Sequence, residues 1–188
     1  MADEPDDRPW VAAVLAGEPG AFRVLFDRHA PPVRRFLRDL CRDEAYADEA
    51  TQETFVRAHG RLATLRDDQR LRPWLLGIAR RVFLEELRRR RPHVELQAAI
   101  ETAIGTAGSV ASPEADLLVV EEARLFRAAL ARLSAAQRGV LLLRIDHGLA
   151  YDEIAQVMGL SLPQVRNMLH RGRQELREYL APYFEEEP

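Results

Sequence analysis

The segment 149–173 constrains the fold more than any other, because its apolar residues are spaced for two short helices joined by a tight turn. The first helix has an apolar stripe at positions i, i+3, i+4 and i+7, formed by Tyr151, Ile154, Ala155 and Met158. Gly159 follows where a helix commonly ends in the left-handed conformation. Ser161 is placed to cap the second helix, and Pro163 lies in its first turn. This pattern predicts a helix-turn-helix.

The second helix of this motif has an apolar inner face and a basic outer face. The inner face consists of Val165, Met168, Leu169, Gly172 and Leu176. The outer face carries Gln164, Arg166, Asn167, His170, Arg171 and Arg173. These residue types hydrogen-bond to base edges and phosphates in a major groove, so they are candidate contacts to duplex DNA. A surface helix pair without a nucleic-acid role has the same periodicity, and only the turn and the local excess of arginine favour DNA.

The composition indicates a soluble globular protein with separate acidic and basic surfaces. The chain has 188 residues, 47% of them hydrophobic, and a formal net charge of -3. Acidic residues are concentrated in the segments 3–7, 43–53, 114–122 and 185–187. The basic segments are 88–91 and 166–177, in which every cation other than histidine is arginine. Surfaces of opposite sign predict two kinds of partner.

Several classes of protein are disfavoured by the sequence. No run approaches the roughly 20 apolar residues that span a bilayer, and residues 1–7 are acidic where a signal peptide is basic, so we expect no membrane insertion and a cytoplasmic protein. Cys41 is the only cysteine, which excludes an internal disulfide and a cysteine-based zinc site. The histidines have no ligand-like spacing and no glycine-rich phosphate loop is present. We therefore expect no cofactor, no metal and no enzymatic activity.

Helical spacing of apolar residues recurs along the chain, and no segment alternates like a β-strand, so the sequence predicts an all-α fold. Helices are expected over 9–16, 22–40, 43–60, 71–91, 114–133 and 135–145. Pro31 and Pro32 predict a break or kink in the second of these. Ser134 and Gln137 form a capping-box pattern at the start of the last.

The predicted helices divide into two small domains joined by a flexible linker. Residues 92–113 read as the linker, because they lie between Pro92 and Pro113 and include glycine and serine, with room for one short helix in 94–104. The expected division is an N-terminal acidic segment with a short helix, a first domain, the linker, a helix-turn-helix domain and an acidic tail, over residues 1–20, 21–91, 92–113, 114–181 and 182–188.

Four motifs in this order resemble a bacterial RNA polymerase sigma factor of the extracytoplasmic-function (ECF) group, in the sigma-70 family. They occupy residues 47–55 (ADEATQETF), 71–91 (opening LRPWL), 133–144 and 151–173. Each motif is weak alone, but the four together at this spacing are specific, and the resemblance covers about 21–180. It implies that 21–91 is a sigma region 2-like domain and 114–181 a sigma region 4-like domain.

The resemblance implies a promoter-specificity subunit whose partners are core RNA polymerase and promoter DNA. It assigns core polymerase binding to Asp48, Glu49, Gln52 and Glu53. It assigns the melted minus-10 strand to Arg66, Arg70, Arg72, Trp74, Arg80, Arg81 and Arg88. It assigns the duplex minus-35 element to the six outer-face residues of the helix-turn-helix. From the residues alone, the acidic face of 43–60 is equally a solvated surface, Trp74 is equally a core residue and His170 is equally a neutral spacer.

The resemblance also leaves an alternative function. A sigma-like decoy would bind an anti-sigma factor without directing transcription, and an anti-sigma factor is an expected partner in either case. The chain is too short for the receiver domain of the best-known decoy and keeps a basic recognition helix, which favours the sigma subunit. Departures from the usual family pattern at Pro73, Arg81, Glu85 and Met168 bear on promoter sequence more than on function.

Overall fold

The structure is a computed structural model that describes residues 6–66, 70–90 and 117–184. The predicted linker therefore lies outside the described residues. Over those residues the chain is helical with no strand, which confirms the all-α prediction. The helices are α1 (Arg8–Leu15), α2 (Ala21–Cys41), α3 (Glu44–Arg61), α4 (Leu71–Arg90), α5 (Leu117–Arg132), α6 (Ala135–Ile145), α7 (Tyr151–Met158) and α8 (Leu162–Phe184), with a short 3-10 helix at Leu62–Thr64. None of these helices combines the length and apolarity needed to cross a bilayer.

In the N-terminal half, α2, α3 and α4 pack against one another. The predicted buried face of α3 is confirmed, and it consists of Ala47, Ala50, Thr54, Phe55 and Ala58. Asp43 caps this helix, because its carboxylate accepts a hydrogen bond from the Tyr46 amide at 3.0 Å. The Tyr46 hydroxyl in turn donates to the Val82 carbonyl of α4 at 3.3 Å. The start of α3 is thus fixed against α4, which determines the face that α3 leaves exposed.

The sequence predicted a break or a kink at Pro31 and Pro32. The break was wrong, because the second helix runs through both prolines without interruption. A proline inside a helix removes one amide donor and crowds the preceding turn, which costs about 3 kcal/mol in isolation. Here a continuous buried face runs from Leu25 to Leu40 across both prolines. Packing of that face against α3 and α4 outweighs the local penalty, as tertiary contacts commonly do.

The short helix α1 is attached to α2 through the buried carboxylate of Asp7. This carboxylate accepts hydrogen bonds from His29 Nε2 at 2.7 Å and from Arg28 Nη1 at 2.6 Å. Burial lowers the pKa of His29, and the Asp7 charge only partly opposes that effect. The imidazole is therefore a neutral donor at pH 7, and a local sequence pattern gave no sign of this pairing across 22 residues.

In the C-terminal half, the helix-turn-helix prediction is confirmed. Gly159 ends α7 with φ of 62° in the left-handed region. Ser161 and Gln164 form a capping box at the start of α8, with the Ser161 amide donating to Gln164 Oε1 at 2.8 Å. Ser134 and Gln137 do the same for α6, as predicted. The inner face of α8 is buried as expected, with Met168 half-buried.

Gly172 shows why the inner face of α8 needs a glycine. A Cβ at this position would lie 2.8 Å from Leu141 Cδ1 of α6. Such a contact is shorter than carbon atoms tolerate, so a larger residue would require the buried Leu141 side chain or the helices to shift. The close approach of α6 and α8 fixes how far the outer face of α8 projects from α6.

The two halves are in direct contact. The helix α2 packs on α6, and α4 packs on α7, so one hydrophobic cluster extends across both halves. The sequence predicted the two sets of helices but gave no indication that they would share a core.

Candidate polymerase and nucleic-acid interfaces

All six residues predicted to contact duplex DNA lie on the exposed side of α8. Because Val165, Leu169 and Leu176 face the core, helical periodicity turns the six toward solvent. Gln164 differs from the others, since its side-chain oxygen already accepts hydrogen bonds from the Ser161 amide and hydroxyl. Its amide nitrogen is therefore the group available to a ligand.

A stripe of cations runs along this exposed side beyond the predicted set. Arg166, His170, Arg173 and Arg177 recur at i, i+4, i+7 and i+11, and they line a shallow groove of about 480 Å³ beside Tyr151. Within the described part of the chain, no ion pair involves the three arginines. The sequence analysis did not assign Arg177 to the DNA-binding set, although its position four residues after Arg173 was a sufficient signal. The stripe has the charge and length to follow a phosphate backbone.

On α4, the residues Arg80, Arg81 and Arg88 form a cluster of positive charge. Burial lowers the pKa of Arg80, and the charges of Arg81 and Arg88 lower it further. Among residues 70–90 and the helices described around them, no carboxylate pairs with these three, whereas Arg89 is bound to Glu86 at 2.7 Å. A bound phosphate would relieve their repulsion, so this cluster is suited to an anionic backbone.

Two other members of the predicted minus-10 set lie outside that cluster. Trp74 is half-buried and packs against the hydrophobic core, so only part of its ring is accessible for stacking. Arg66 is exposed after the 3-10 helix. Trp74 is therefore a core residue with part of its ring at the surface.

Arg70 and Arg72 are directed toward the C-terminal half of the chain. Arg70 Nε lies 3.4 Å from Glu153 Oε1 of α7. The charge of Arg72 lowers the pKa values of both His29 and His147, which places it between α2 and the turn before α7. The seven predicted minus-10 residues thus do not form one surface in this arrangement.

The predicted polymerase-binding face of α3 has two edges that are held by intramolecular ion pairs. Asp48 is bound by the guanidinium of Arg34 from α2, which holds the pKa of that carboxyl below its usual value. Glu53 accepts from Arg57 Nε at 2.6 Å, and Arg57 Nη1 also donates to Glu85 of α4 at 2.6 Å. These pairs orient α3 on its neighbours.

The centre of the same face is formed by Glu49, Gln52 and Val56. Both polar residues are exposed, and Val56 is 68% exposed although it is a large hydrophobic residue. Val56 lies at i+4 from Gln52 and i+7 from Glu49, so the three share one stripe. Sequence analysis missed Val56, and the signal for it was an apolar residue outside the predicted buried face.

Comparisons with known proteins identify the family of the chain. The family model for Sigma-70 region 2 matches residues 25–93, and the model for Sigma-70 region 4 matches residues 123–176. The chain is 33% identical to the ECF RNA polymerase sigma factor SigE of Mycolicibacterium smegmatis, over 97% of this chain and 72% of that protein. It is 34% identical to the RNA polymerase sigma factor CarQ of Myxococcus xanthus, over 88% of this chain and 92% of that protein.

Solved structures give the same result at the level of the fold. The sigma factor RpoE in complex with the anti-sigma factor NepR, from Bartonella quintana, matches with a TM-score of 0.69 and 26% identity, covering 86% of this chain and 98% of that one. CnrH in complex with the cytosolic domain of CnrY matches with a TM-score of 0.68 and 26% identity, covering 94% of this chain and 97% of that one.

The chain belongs to the sigma-70 family, because a region 2 match is followed along the chain by a region 4 match. The matched helices carry the charge patterns described above. Within that family it is an ECF sigma factor. It is accordingly a promoter-specificity subunit that binds core RNA polymerase and directs transcription initiation at minus-35 and minus-10 promoter elements. Sigma factors are promoter-recognition subunits and not enzymes, and a decoy role is not favoured by relatives that are themselves sigma factors.

Proposed function

We propose that three helices divide the work of this sigma factor. The outer face of α3 binds core polymerase, the arginine cluster of α4 holds the melted minus-10 strand, and the exposed side of α8 reads the minus-35 duplex. The observation that carries this assignment is the separation of charge. Glu49 and Glu53 make α3 acidic. In contrast, no carboxylate partner among the described residues binds Arg80, Arg81 and Arg88 of α4 or Arg166, Arg173 and Arg177 of α8.

On α3, the centre and the edges have different roles. Glu49, Gln52 and Val56 form an exposed stripe with an apolar residue at its end, which suits a partner surface that offers cations around a hydrophobic pocket. Asp48 and Glu53 bind the same partner while their intramolecular arginines hold them in place. Substitution of Glu49 is therefore expected to affect polymerase binding without loosening α3.

On α4, phosphates of the single strand lie along Arg80, Arg81 and Arg88, and the accessible part of Trp74 offers a stacking surface. Arg66, Arg70 and Arg72 extend this path around the start of the helix. On α8, Arg166, Arg171 and Arg173 contact guanine or phosphate, Asn167 and Gln164 contact adenine, and His170 lies between them. Arg177 continues the phosphate contacts.

The domains act as a tethered pair. We place them at 21–91 and 114–181, joined by 92–113, which lies outside the described residues. Each domain binds its DNA element weakly, and the tether raises the effective concentration of the second domain once the first is bound. Cutting the chain between Gly105 and Ser112 is expected to reduce initiation strongly while each half stays folded.

An anti-sigma factor and a cytoplasmic location complete the proposal. Two solved structures with a similar fold are of RpoE bound to the anti-sigma factor NepR and of CnrH bound to the cytosolic domain of CnrY. We expect the chain to work where core polymerase and the chromosome are, in the cytoplasm.

A binding experiment with charge variants tests the division of labour. Glu49→Arg on the centre of α3 is expected to weaken binding to core polymerase at least tenfold, because it places a cation against a basic partner. Glu18→Arg, an exposed acidic position outside α3, is the matched control and is expected to leave affinity unchanged. Equal losses in both variants would show that net charge, and not this face, determines binding, and the assignment of α3 would be wrong.

A further inference from the structure

The first helix is joined to the rest of the N-terminal half by a buried carboxylate. Asp7 is at the N-cap position of α1, where aspartate commonly accepts a hydrogen bond from its own helix, but its side chain makes no such bond. Instead, Oδ2 accepts from His29 Nε2 at 2.7 Å and Oδ1 accepts from Arg28 Nη1 at 2.6 Å. Asp7 is 9% exposed and His29 is 2% exposed. Because both partners belong to α2, this carboxylate fixes the start of α1 on α2.

The inner side of α1 also supports the segment that leads to Arg66. The helix packs on α2 and on the 3-10 helix Leu62–Thr64. From α1, Val11 and Val14 pack against the hydrophobic core to which the buried Leu62 belongs. The exposed Arg66 follows two residues after the 3-10 helix. The position of α1 therefore helps to fix the point at which Arg66 leaves the core.

The same carboxylate belongs to a cluster of groups that reaches the start of α4. Arg72 lies in the first turn of α4, and α2 packs on that helix. Burial lowers the pKa of His29, and the charge of Asp7 opposes that effect. The charges of Arg72 and Arg28 lower this pKa further, so both guanidinium groups lie within electrostatic reach of the imidazole. Asp7, His29 and the two arginines therefore form one cluster.

Two of the proposed minus-10 residues depend on how α1 is held. Arg66 follows the 3-10 helix on which α1 packs, and Arg72 belongs to the cluster around Asp7. A contact to phosphate is stronger when the cation is already oriented, because less side-chain and backbone freedom is lost on binding. The helix α1 contains none of the proposed minus-10 residues, so its contribution to holding the strand is indirect.

We propose that Asp7 and His29 are positioning residues for promoter melting: their buried hydrogen bond holds α1 against the 3-10 helix and orients Arg72, at the start of α4, for the melted minus-10 strand. The proposal rests on the proposed function, because Arg66 and Arg72 matter here only as contacts to that strand. Neither positioning residue touches DNA. Loss of their hydrogen bond is expected to weaken the hold on the strand and to leave the outer faces of α3 and α8 unchanged.

Substitution of the buried carboxylate tests this role. Asp7→Asn keeps the size of the side chain and removes its charge. It is expected to lower promoter melting about fivefold, because Arg72 is no longer oriented before the strand binds. Permanganate reactivity of minus-10 thymines at saturating core polymerase measures melting. The affinities for core polymerase and for a duplex minus-35 fragment are expected to stay within about twofold of the wild type, because α3 and α8 are distant, independent sites.

Asp6→Asn is the matched control, since it makes the same chemical change one residue earlier. The Asp6 carboxylate is exposed and accepts from Arg8 Nε at 2.9 Å, within the same short segment. This variant is expected to melt the promoter as the wild type does. Unchanged melting in Asp7→Asn, or an equal loss in Asp6→Asn, would overturn the proposal.

A double-mutant cycle separates the positioning of Arg72 from a general loss of stability. In an Arg72→Gln background, Asp7→Asn is expected to lower melting by less than about twofold, because the side chain that it orients is already gone. In an Arg81→Gln background it is expected to keep its full effect, because Arg81 is outside the cluster around Asp7. A full effect in both backgrounds would show that Asp7 acts only on the stability of the fold, and the proposal would be wrong.

Two substitutions of His29 provide a rescue test. His29→Gln retains a neutral amide that can donate to the Asp7 carboxylate, so melting is expected to stay within about twofold of the wild type. His29→Leu fills the space without a donor and leaves a buried carboxylate with one partner fewer, so it is expected to lower melting as Asp7→Asn does. Equal melting by the two His29 variants would show that their hydrogen bond does not position the strand.

The attachment of α1 is measured separately, in the free chain without polymerase. Trp10 is 38% exposed on α1, and Trp74 is the other tryptophan of the sequence, so a Trp74→Phe background reports on α1 alone. Acrylamide quenching of Trp10 is expected to rise about twofold in Asp7→Asn and to stay unchanged in Asp6→Asn, because only the first variant releases the helix. Unchanged quenching in both variants would overturn the proposal. If quenching rises as expected but the wild-type chain with core polymerase melts no promoter, the proposed function fails while the attachment of α1 by Asp7 stands.

Discussion

The helices α4 and α8 carry the same kind of side chain for the same kind of ligand, yet only α8 presents all of its predicted contacts together. Its six predicted residues lie on one exposed side, because a single buried face settles the orientation of a surface helix. The helix α4 is packed by α2, α3 and α7. Arg80, Arg81 and Arg88 form one cluster on it, whereas Arg70, just before the helix, and Arg72, in its first turn, lie toward the C-terminal half. Periodicity decides which residues are available on a surface helix, whereas tertiary contacts decide it on a central one.

The largest expected effect comes from the α4 cluster. The double variant Arg81→Gln/Arg88→Gln is expected to reduce promoter melting about 100-fold, since each charge-assisted contact contributes about 1.4 kcal/mol. Permanganate reactivity of minus-10 thymines measures the melted strand. Arg89→Gln is the control, because Glu86 already binds that arginine. An equal loss in the control would mean that α4 acts through total charge and would break the contrast between its two groups of arginines.

On α8, the inner face is expected to control the outer one. Gly172→Val adds a Cβ that would lie 2.8 Å from Leu141 Cδ1. The substitution should therefore destabilise the C-terminal half by about 2 kcal/mol. Urea unfolding measures this loss. Gly60→Ala, which meets nothing within 4 Å, is expected to stabilise the chain by about 0.5 kcal/mol. Normal stability in Gly172→Val would show that Leu141 and the packing of α6 on α8 adjust to a larger residue without cost.

The contact between the halves is expected to weaken in acid through His147. Burial, followed by the charges of Arg72 and Arg35, lowers the pKa of this imidazole to about 4, against about 6.5 in the unfolded chain. Between these values the unfolded chain binds the extra proton, so stability is complete above pH 6.5 and is lost as pH falls toward 4. From pH 7 to pH 5 the loss from this group is about 2 kcal/mol.

Urea unfolding at both pH values checks this expectation. His147→Gln retains a polar side chain without a titration in this range, so its loss of stability between pH 7 and pH 5 should be about 2 kcal/mol smaller than that of the wild type. The same pH dependence in both proteins would contradict the buried, neutral state of His147 and the tight interface that causes it.

The smallest effect is expected on α3. Val56→Asp should weaken binding to core polymerase about fivefold, or about 1 kcal/mol, because it removes an apolar contact from the centre of the stripe. Leu15→Asp, on α1, is the matched control, since that leucine is also exposed. A titration of labelled core polymerase gives both affinities. Unchanged binding by Val56→Asp would restrict the polymerase face to its polar residues.

The sequence was sufficient to predict the structure wherever a local pattern controls it. The capping boxes at Ser134 and Ser161, the turn at Gly159 and the outer face of α8 all follow from residues within a few positions of one another. Val56 and Arg177 had local signals that were overlooked. Arg138 had none, because its four carbonyl partners lie 5 to 98 residues away. The division of α4 and the continuity of α2 through its prolines likewise depend on contacts that only the folded chain makes.

The most direct test of the account is transcription of fragmented genomic DNA by core polymerase with this chain, followed by sequencing of the 5′ ends. The wild type is expected to produce new starts that share two upstream elements. The double variant Arg166→Gln/Arg173→Gln is expected to lose dependence on the outer element and keep the inner one, and Arg81→Gln/Arg88→Gln is expected to lose starts at all promoters. New starts with no shared element, or no new starts from a folded chain, would contradict the claim that α4 and α8 read two parts of one promoter.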